Sequence, residues 1–112
     1  NIDIEHIMPQ SGINREHIMH DIGVNDQDEF REYAEMLGNK ILLESEINRG
    51  IGDAWFRTKK ENHITKGNGY IGSKFPIAKS LVTYAKDTWT KEDIDLATEK
   101  AAKRIANFVF EL

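Results

Sequence analysis

The sequence predicts an α+β fold, mostly helical, in which a short β-hairpin packs against several helices. Three observations predict it. Two β-rich segments, Ile2-Asp3-Ile4-Glu5-His6 and Lys40-Ile41-Leu42-Leu43, are separated by an insertion and can pair as a hairpin. Apolar residues recur at helical spacing around residues 30–37 and again from residue 94 onward. The chain of 112 residues fits one domain, expected to span residues 1–112.

The elements follow in order. Ile2 to His6 alternates apolar and polar residues, and Pro9 stops the strand because proline has no N–H for a ladder. Residues 10–26 are polar, carry Ser11-Gly12 and Gly23, and read as a long loop or a loop with one helical turn. Asp26 or Asp28 caps a helix to about Met36, with Phe30, Tyr33, Ala34 and Leu37 on one face. Gly38 sits where a left-handed residue would end it. Lys40 to Leu43 is the second strand. Ser45 is placed to cap a short helical turn through Asn48, which Gly50 and Gly52 break. Asp53 caps a helix through about Asn62, and Lys66 to Tyr70 is a loop. Pro76 opens a helix to about Ala85. Thr90 with Asp93 resembles a capping box for the last helix, whose stripe is Ile94, Ala97, Ala101, Ile105, Phe108 and Leu112.

Composition narrows the function classes. Hydrophobic residues make up 39% and charged residues 30%, which argues against global disorder. The longest purely apolar runs are three residues, far short of the roughly 20 that span a bilayer, so no membrane partner is expected. No stretch has a signal-peptide pattern, and the expected location is the cytoplasm. Cysteine is absent, which removes disulfides, thiolate zinc sites and thiol catalysis together. The chain opens on Asn1 and not Met, so it is expected to be the C-terminal fragment of a longer protein.

The net charge of −4 is unevenly spread. Residues 1–48 hold 3 basic and 11 acidic side chains, whereas residues 49–91 hold 9 basic and 3 acidic. A basic stretch inside an acidic chain is a candidate electrostatic footprint for an anionic partner.

Two groups of residues carry chemistry. In Glu5-His6, the carboxylate suits a hard cation and the imidazole suits proton abstraction from water near neutral pH. Strand neighbours face opposite ways, so both serve one site only if the strand ends or twists there. The same dipeptide also reads as a surface acid beside a structural histidine. In the second group, Asn39 opens a strand, Asn48 follows on a short helix, and Arg49 stands beside it. An amide oxygen can ligate Mg²⁺ and a guanidinium can grip a phosphate. Both asparagines also suit plain turn and cap roles.

Taken together, Ile4-Glu5-His6-Ile7-Met8-Pro9-Gln10, Leu37-Gly38-Asn39-Lys40-Ile41-Leu42-Leu43 and Asn48-Arg49 resemble the HNH nuclease pattern. With Ile51 to Phe56, Lys59-Lys60, Tyr70 to Ser73 and Trp89-Thr90, the chain looks like the C-terminal HNH domain of GmrSD-type modification-dependent restriction endonucleases, over about residues 2 to 105. The resemblance implies a ββα-metal core with additional C-terminal helices. It implies an HNH endonuclease that hydrolyses DNA phosphodiester bonds in restriction and antiviral defence, on foreign or modified DNA. It assigns His6 as general base, Glu5 and Asn48 as ligands of one Mg²⁺ or Mn²⁺, and Asn39 as the residue fixing the loop that carries His6. Modification specificity would lie in an N-terminal domain of the same full-length chain. Double-strand cleavage by a one-metal site calls for two active sites, which a homodimer would supply. Two departures stand out: the third motif position is Asn48 in place of His, and the acid is Glu5 in place of the commoner Asp. The alternative is a catalytically degenerate HNH fold used to bind DNA or protein.

Arg49, Arg57, Lys59, Lys60 and Lys66 lie in the basic stretch just after the motif and are the expected phosphate-backbone contacts, each with a solvated helix face as the plainer reading. Weaker signals fall away. Gly67-Asn68-Gly69-Tyr70-Ile71-Gly72 fits a dinucleotide fingerprint by letter but lacks a preceding strand. His17 and His20 share a helical spacing but lack a third ligand. His63 suits a helix C-terminus. Trp55, Phe56, Phe75, Tyr84 and Trp89 are expected in the core rather than as base-stacking platforms.

Overall fold

A computed structural model describes residues 1–10, 15–60 and 69–110. The expectations for Ser11-Gly12, His63, Lys66, Gly67-Asn68 and Leu112 lie outside the described residues. Strands β1 (Ile2–His6) and β2 (Lys40–Glu44) form an antiparallel hairpin. Its register sets Asp3 opposite Leu43, Glu5 opposite Ile41 and His6 opposite Lys40. Between the strands lie α1 (Arg15–Asp21), α2 (Gln27–Glu35) and a 3-10 turn at Leu37–Asn39. After β2 come α3 (Ser45–Ile51), α4 (Phe56–Lys60), a 3-10 turn at Tyr70–Gly72, α5 (Pro76–Leu81) and α6 (Lys91–Phe110). The fold is mostly helical with one small sheet, as the periodicities predict.

The hairpin has two unlike faces, because side chains alternate along a strand. Ile4 and Leu42 face outward and are exposed. Ile41 and Leu43 face inward and join a core with Ile7, Met8, Phe30 and Ile47. Helix α3 follows β2 directly and packs on both strands, which completes a strand–strand–helix unit.

Several local expectations are corrected by packing. The segment after Pro9 holds a helix of seven residues, α1, because Ile18, Met19 and Ile22 are all taken into the core. Gly23, at φ 78°, takes the left-handed position that ends it. Gly38 does not have a positive φ. Its requirement is space: a Cβ there would run into the Ile94 carbonyl oxygen and the Thr98 nitrogen of α6. Its N–H donates to the Thr98 hydroxyl at 2.9 Å. Ser45 is the first helical residue of α3, not a side-chain cap, and its hydroxyl donates to Asp3 instead. Helix α4 begins at Phe56, after a turn in which the Ala54 N–H donates to the Ile51 carbonyl. Helix α5 ends at Leu81, four residues short of Ala85.

The caps of α2 and α6 match their sequence signals. The Asp26 carboxylate accepts the Asp28 N–H at 3.1 Å. At α6, Asp93 accepts the Thr90 N–H at 2.8 Å while its own N–H points back to the Thr90 hydroxyl at 3.5 Å, the reciprocal pattern of a capping box. Phe56, Tyr84 and Trp89 cluster, with ring centroids 5.2 to 6.0 Å apart. The apolar stripe of α6 is buried at Ile94 and Ala101 but exposed at Ile105 and Phe108. No helix among the described residues is long and apolar enough to cross a membrane.

Candidate functional site

His6 is the last residue of β1, and the chain bends away from the ladder immediately after it. Asn39 holds that bend. The residue is fully buried, its amide oxygen accepts the Met8 N–H at 2.7 Å, and its amide nitrogen donates to the carbonyls of Met8 and Ala34. Its own carbonyl accepts the Ile7 N–H at 2.9 Å. Every polar atom of the side chain is therefore committed to the two segments that flank the hairpin's open end.

The His6 imidazole turns toward the end of α2. Its Nε2 lies 3.2 Å from the Glu35 carboxylate, which also pairs with Lys40 at 2.9 Å and accepts from Gln10. The hydrogen bond from Lys40 outweighs the effect of burial and holds the Glu35 carboxyl below the ordinary carboxylate range. An ionised carboxylate only accepts, so the ring nitrogen facing Glu35 is the one that donates a hydrogen.

Glu5 leaves β1 on the opposite face. It is 4% exposed, and its Oε2 accepts the Tyr70 hydroxyl at 2.7 Å and stands 2.9 Å from the Lys59 ammonium. Burial pushes the Tyr70 phenol well above its ordinary pKa, and the Glu5 charge adds to the shift. Burial likewise pushes the Lys59 ammonium down, against the attraction of Glu5.

Asn48 meets a different acid. Its amide nitrogen donates to Asp3 Oδ2 at 3.0 Å, and the Ser45 hydroxyl donates to Asp3 Oδ1 at 2.9 Å. These two hydrogen bonds, Asn48 first, hold the Asp3 carboxyl below its ordinary range. Asp3 was not singled out from sequence. The signal was present: in a strand of period two Asp3 shares a face with Glu5, and Ser45 and Asn48 are one helical turn apart on α3.

The predicted phosphate contacts separate into two kinds. Arg49 and Arg57 are exposed. Lys59 has no exposure, and its ammonium is occupied by Glu5 and by the carbonyls of His6 and Ile7 at 2.8 and 3.2 Å. Lys60 is 8% exposed and donates to the carbonyls of Tyr84 and Lys86, with its ammonium 5.1 Å from the Phe56 ring centroid. In this structure neither lysine offers its charge to a ligand at the surface. His17 and His20 lie on the exposed side of α1, opposite its buried Ile18 and Met19.

The oxygen donors fall into two groups: Asp3 takes the Asn48 amide nitrogen and the Ser45 hydroxyl, whereas Glu5 is turned to Lys59 and Tyr70, and among the described residues no hydrogen bond joins Glu5 to Asn48. Oxygen donors of this kind suit a hard divalent cation and not a soft one. No group of three or more His, Cys, Asp or Glu side chains with the spacing of a metal site occurs among the described residues.

Comparison with protein families matches residues 1–104 to the GmrSD restriction endonucleases, C-terminal domain. Comparison with curated proteins and with solved structures gives no significant match. The matched segment runs from the first strand into the last helix and includes every residue of the site described above, so the chain belongs to the family of GmrSD restriction endonuclease C-terminal domains.

Proposed function

We propose that this domain is a metal-dependent endonuclease that hydrolyses DNA phosphodiester bonds, with His6 as general base. The observation that supports it most is the junction of β1 and α3, where Asn48 engages Asp3 while Glu5 leaves the same strand face. Glu5 and Asn48 would hold the cation, with Asp3 setting the amide so that its oxygen is the free donor. A divalent ion such as Mg²⁺ or Mn²⁺ supplies charge neutralisation at phosphorus and at the leaving oxygen when bound.

The chain's own residues do the rest. His6 Nδ1 takes the proton of the attacking water, because Nε2–H is donated to Glu35. Glu35 is held in turn by Lys40, so the imidazole enters the reaction already oriented. Asn39 keeps the bend after His6 in one conformation by four hydrogen bonds. Arg49 and Arg57 contact the phosphate backbone and contribute affinity without sequence information.

In the full-length protein the domain acts in the cytoplasm in defence against foreign or modified DNA. An N-terminal region selects the target and a second copy supplies the second cut. The test is cleavage of a supercoiled plasmid with Mg²⁺, with Mn²⁺ and with excess chelator. Nicking that requires the cation supports the reading. Nicking that persists in chelator, or DNA binding without cleavage in either cation, favours a metal-free nuclease or a degenerate binding module respectively.

A further inference from the structure

The Lys59 ammonium touches three oxygens from three consecutive residues: Oε2 of Glu5 and the carbonyls of His6 and Ile7. Tyr70, also without exposure, places its hydroxyl on the same Oε2. These two side chains come from outside the hairpin and α3, one from the last turns of α4 and one from the 3-10 turn before α5. Stability alone gives little reason for the arrangement, since apolar side chains of similar volume commonly replace a buried ion pair at no loss. What the arrangement does achieve is geometric. Two donors on one oxygen stop the carboxylate from rotating and leave Oε1 outside both contacts. The same ammonium ties the backbone of the residue that bears the imidazole to the residue that bears the carboxylate.

We propose that Lys59 and Tyr70 are positioning residues for the reaction. They fix the Glu5 carboxylate through Oε2 so that Oε1 faces the cation, and Lys59 locks the His6–Ile7 peptide to the same point. The inference rests on the reading above, in which Glu5 is a metal ligand. Partners that orient a ligand from behind typically govern metal affinity or activity by about 10- to 100-fold.

The experiment uses the domain as it stands and titrates Mn²⁺, with the free ion followed by electron paramagnetic resonance. Parent, Tyr70→Phe, Lys59→Met and Glu5→Gln are compared at a temperature where each is folded by circular dichroism. Tyr70→Phe removes one oxygen and keeps the ring in the core, so it serves even if Lys59→Met does not fold. The expected result is a Mn²⁺ dissociation constant raised about 10- to 100-fold in folded Tyr70→Phe. A merely structural hydroxyl would lower the melting temperature and leave that constant unchanged, and this outcome overturns the inference. If Tyr70→Phe binds as the parent does while Glu5→Gln loses the ion, only the positioning role fails. If Glu5→Gln also binds as the parent does, the ligand assignment itself fails, and the inference with it.

Discussion

Nε2 of His6 lies 3.2 Å from Oε1 of Glu35, a residue 29 positions further along the chain. The two meet because the 3-10 turn at Leu37–Asn39 carries the end of α2 back to the open end of the hairpin, where β1 and β2 bring His6 and Lys40 opposite each other. Glu35 thus orients the imidazole ring through Nε2. Replacing it with Ala frees the ring and both tautomers. Single-turnover cleavage by Glu35→Ala is expected to slow about 10- to 100-fold, as for other lost orienting partners. Mn²⁺ affinity is expected to stay near the parent value, because Glu35 is not in the donor set. An unchanged cleavage rate would remove Glu35 from the account.

Asp93 predicts the shape of the stability profile against pH. It is 6% exposed and accepts from Tyr84, from Lys86 at 2.7 Å and from both the N–H and hydroxyl of Thr90. Burial opposes its charge, but these donors prevail and hold its carboxyl below the ordinary value of 3.8. Asp3, Glu35, Glu44 and Glu92 are depressed as well. A depressed carboxyl contributes stability above its unfolded pKa and loses it as the pH falls through the folded one. The Tyr84 phenol is pushed up to about 12 by burial and by Asp93, so its contribution is lost on the alkaline side, from 10 upward. The melting temperature should be flat near neutrality, fall below about pH 4 and fall again above about pH 10. Asp93→Asn should cost about 1–3 kcal/mol at pH 7 in denaturant unfolding and flatten the acid limb.

Gly38 predicts a contrast between two glycines. Ala at Gly38 would drive a Cβ into the backbone of α6, which cannot yield as a side chain tip does. Gly38→Ala should destabilise by about 1–3 kcal/mol or more. Gly23→Ala meets no atom within 4 Å, and its cost is only the left-handed backbone at φ 78°, about 1–2 kcal/mol. Adding Thr98→Ala should recover little of the first loss, because the two nearest atoms are backbone and the Gly38 N–H loses its acceptor. Full recovery would contradict the packing explanation.

The cations after Asn48 predict two separate phenotypes. Arg49→Ala and Arg57→Ala should each weaken DNA binding across all sequences and lower the slope of log affinity against log salt by about 1. Lys60→Ala should lower the melting temperature and leave the salt slope of the folded protein intact, because its charge is held by the carbonyls of Tyr84 and Lys86. A reduced slope for Lys60→Ala would return that residue to the DNA-facing surface.

The difference between Arg57 and Lys60 also marks how far the sequence could be read. Strands β1 and β2, helices α2 and α6 and their caps rest on spacing within a few residues, and those signals are local. The family resemblance rests on short motifs in the same way. What stayed hidden depends on residues far apart in the chain. Lys59 reads as a solvated helix face until Glu5 and the carbonyls of His6 and Ile7, 52 or more positions earlier, are brought against it. Gly38 reads as a helix stop until Thr98 arrives from 60 positions away. Ser45 reads as a cap until Asp3 takes its hydroxyl across 42 positions. Asp3 itself was masked by Glu5, since the motif names the acid beside the histidine and not the one two residues before it.

The central claim is that His6 is the general base. The direct measurement is the single-turnover rate of plasmid cleavage by His6→Ala at saturating Mn²⁺, with Mn²⁺ binding measured on the same sample. The account predicts binding close to the parent and a rate lower by about 10²- to 10⁴-fold, the usual contribution of a positioned base. A His6→Ala protein that cleaves as fast as the parent would contradict it.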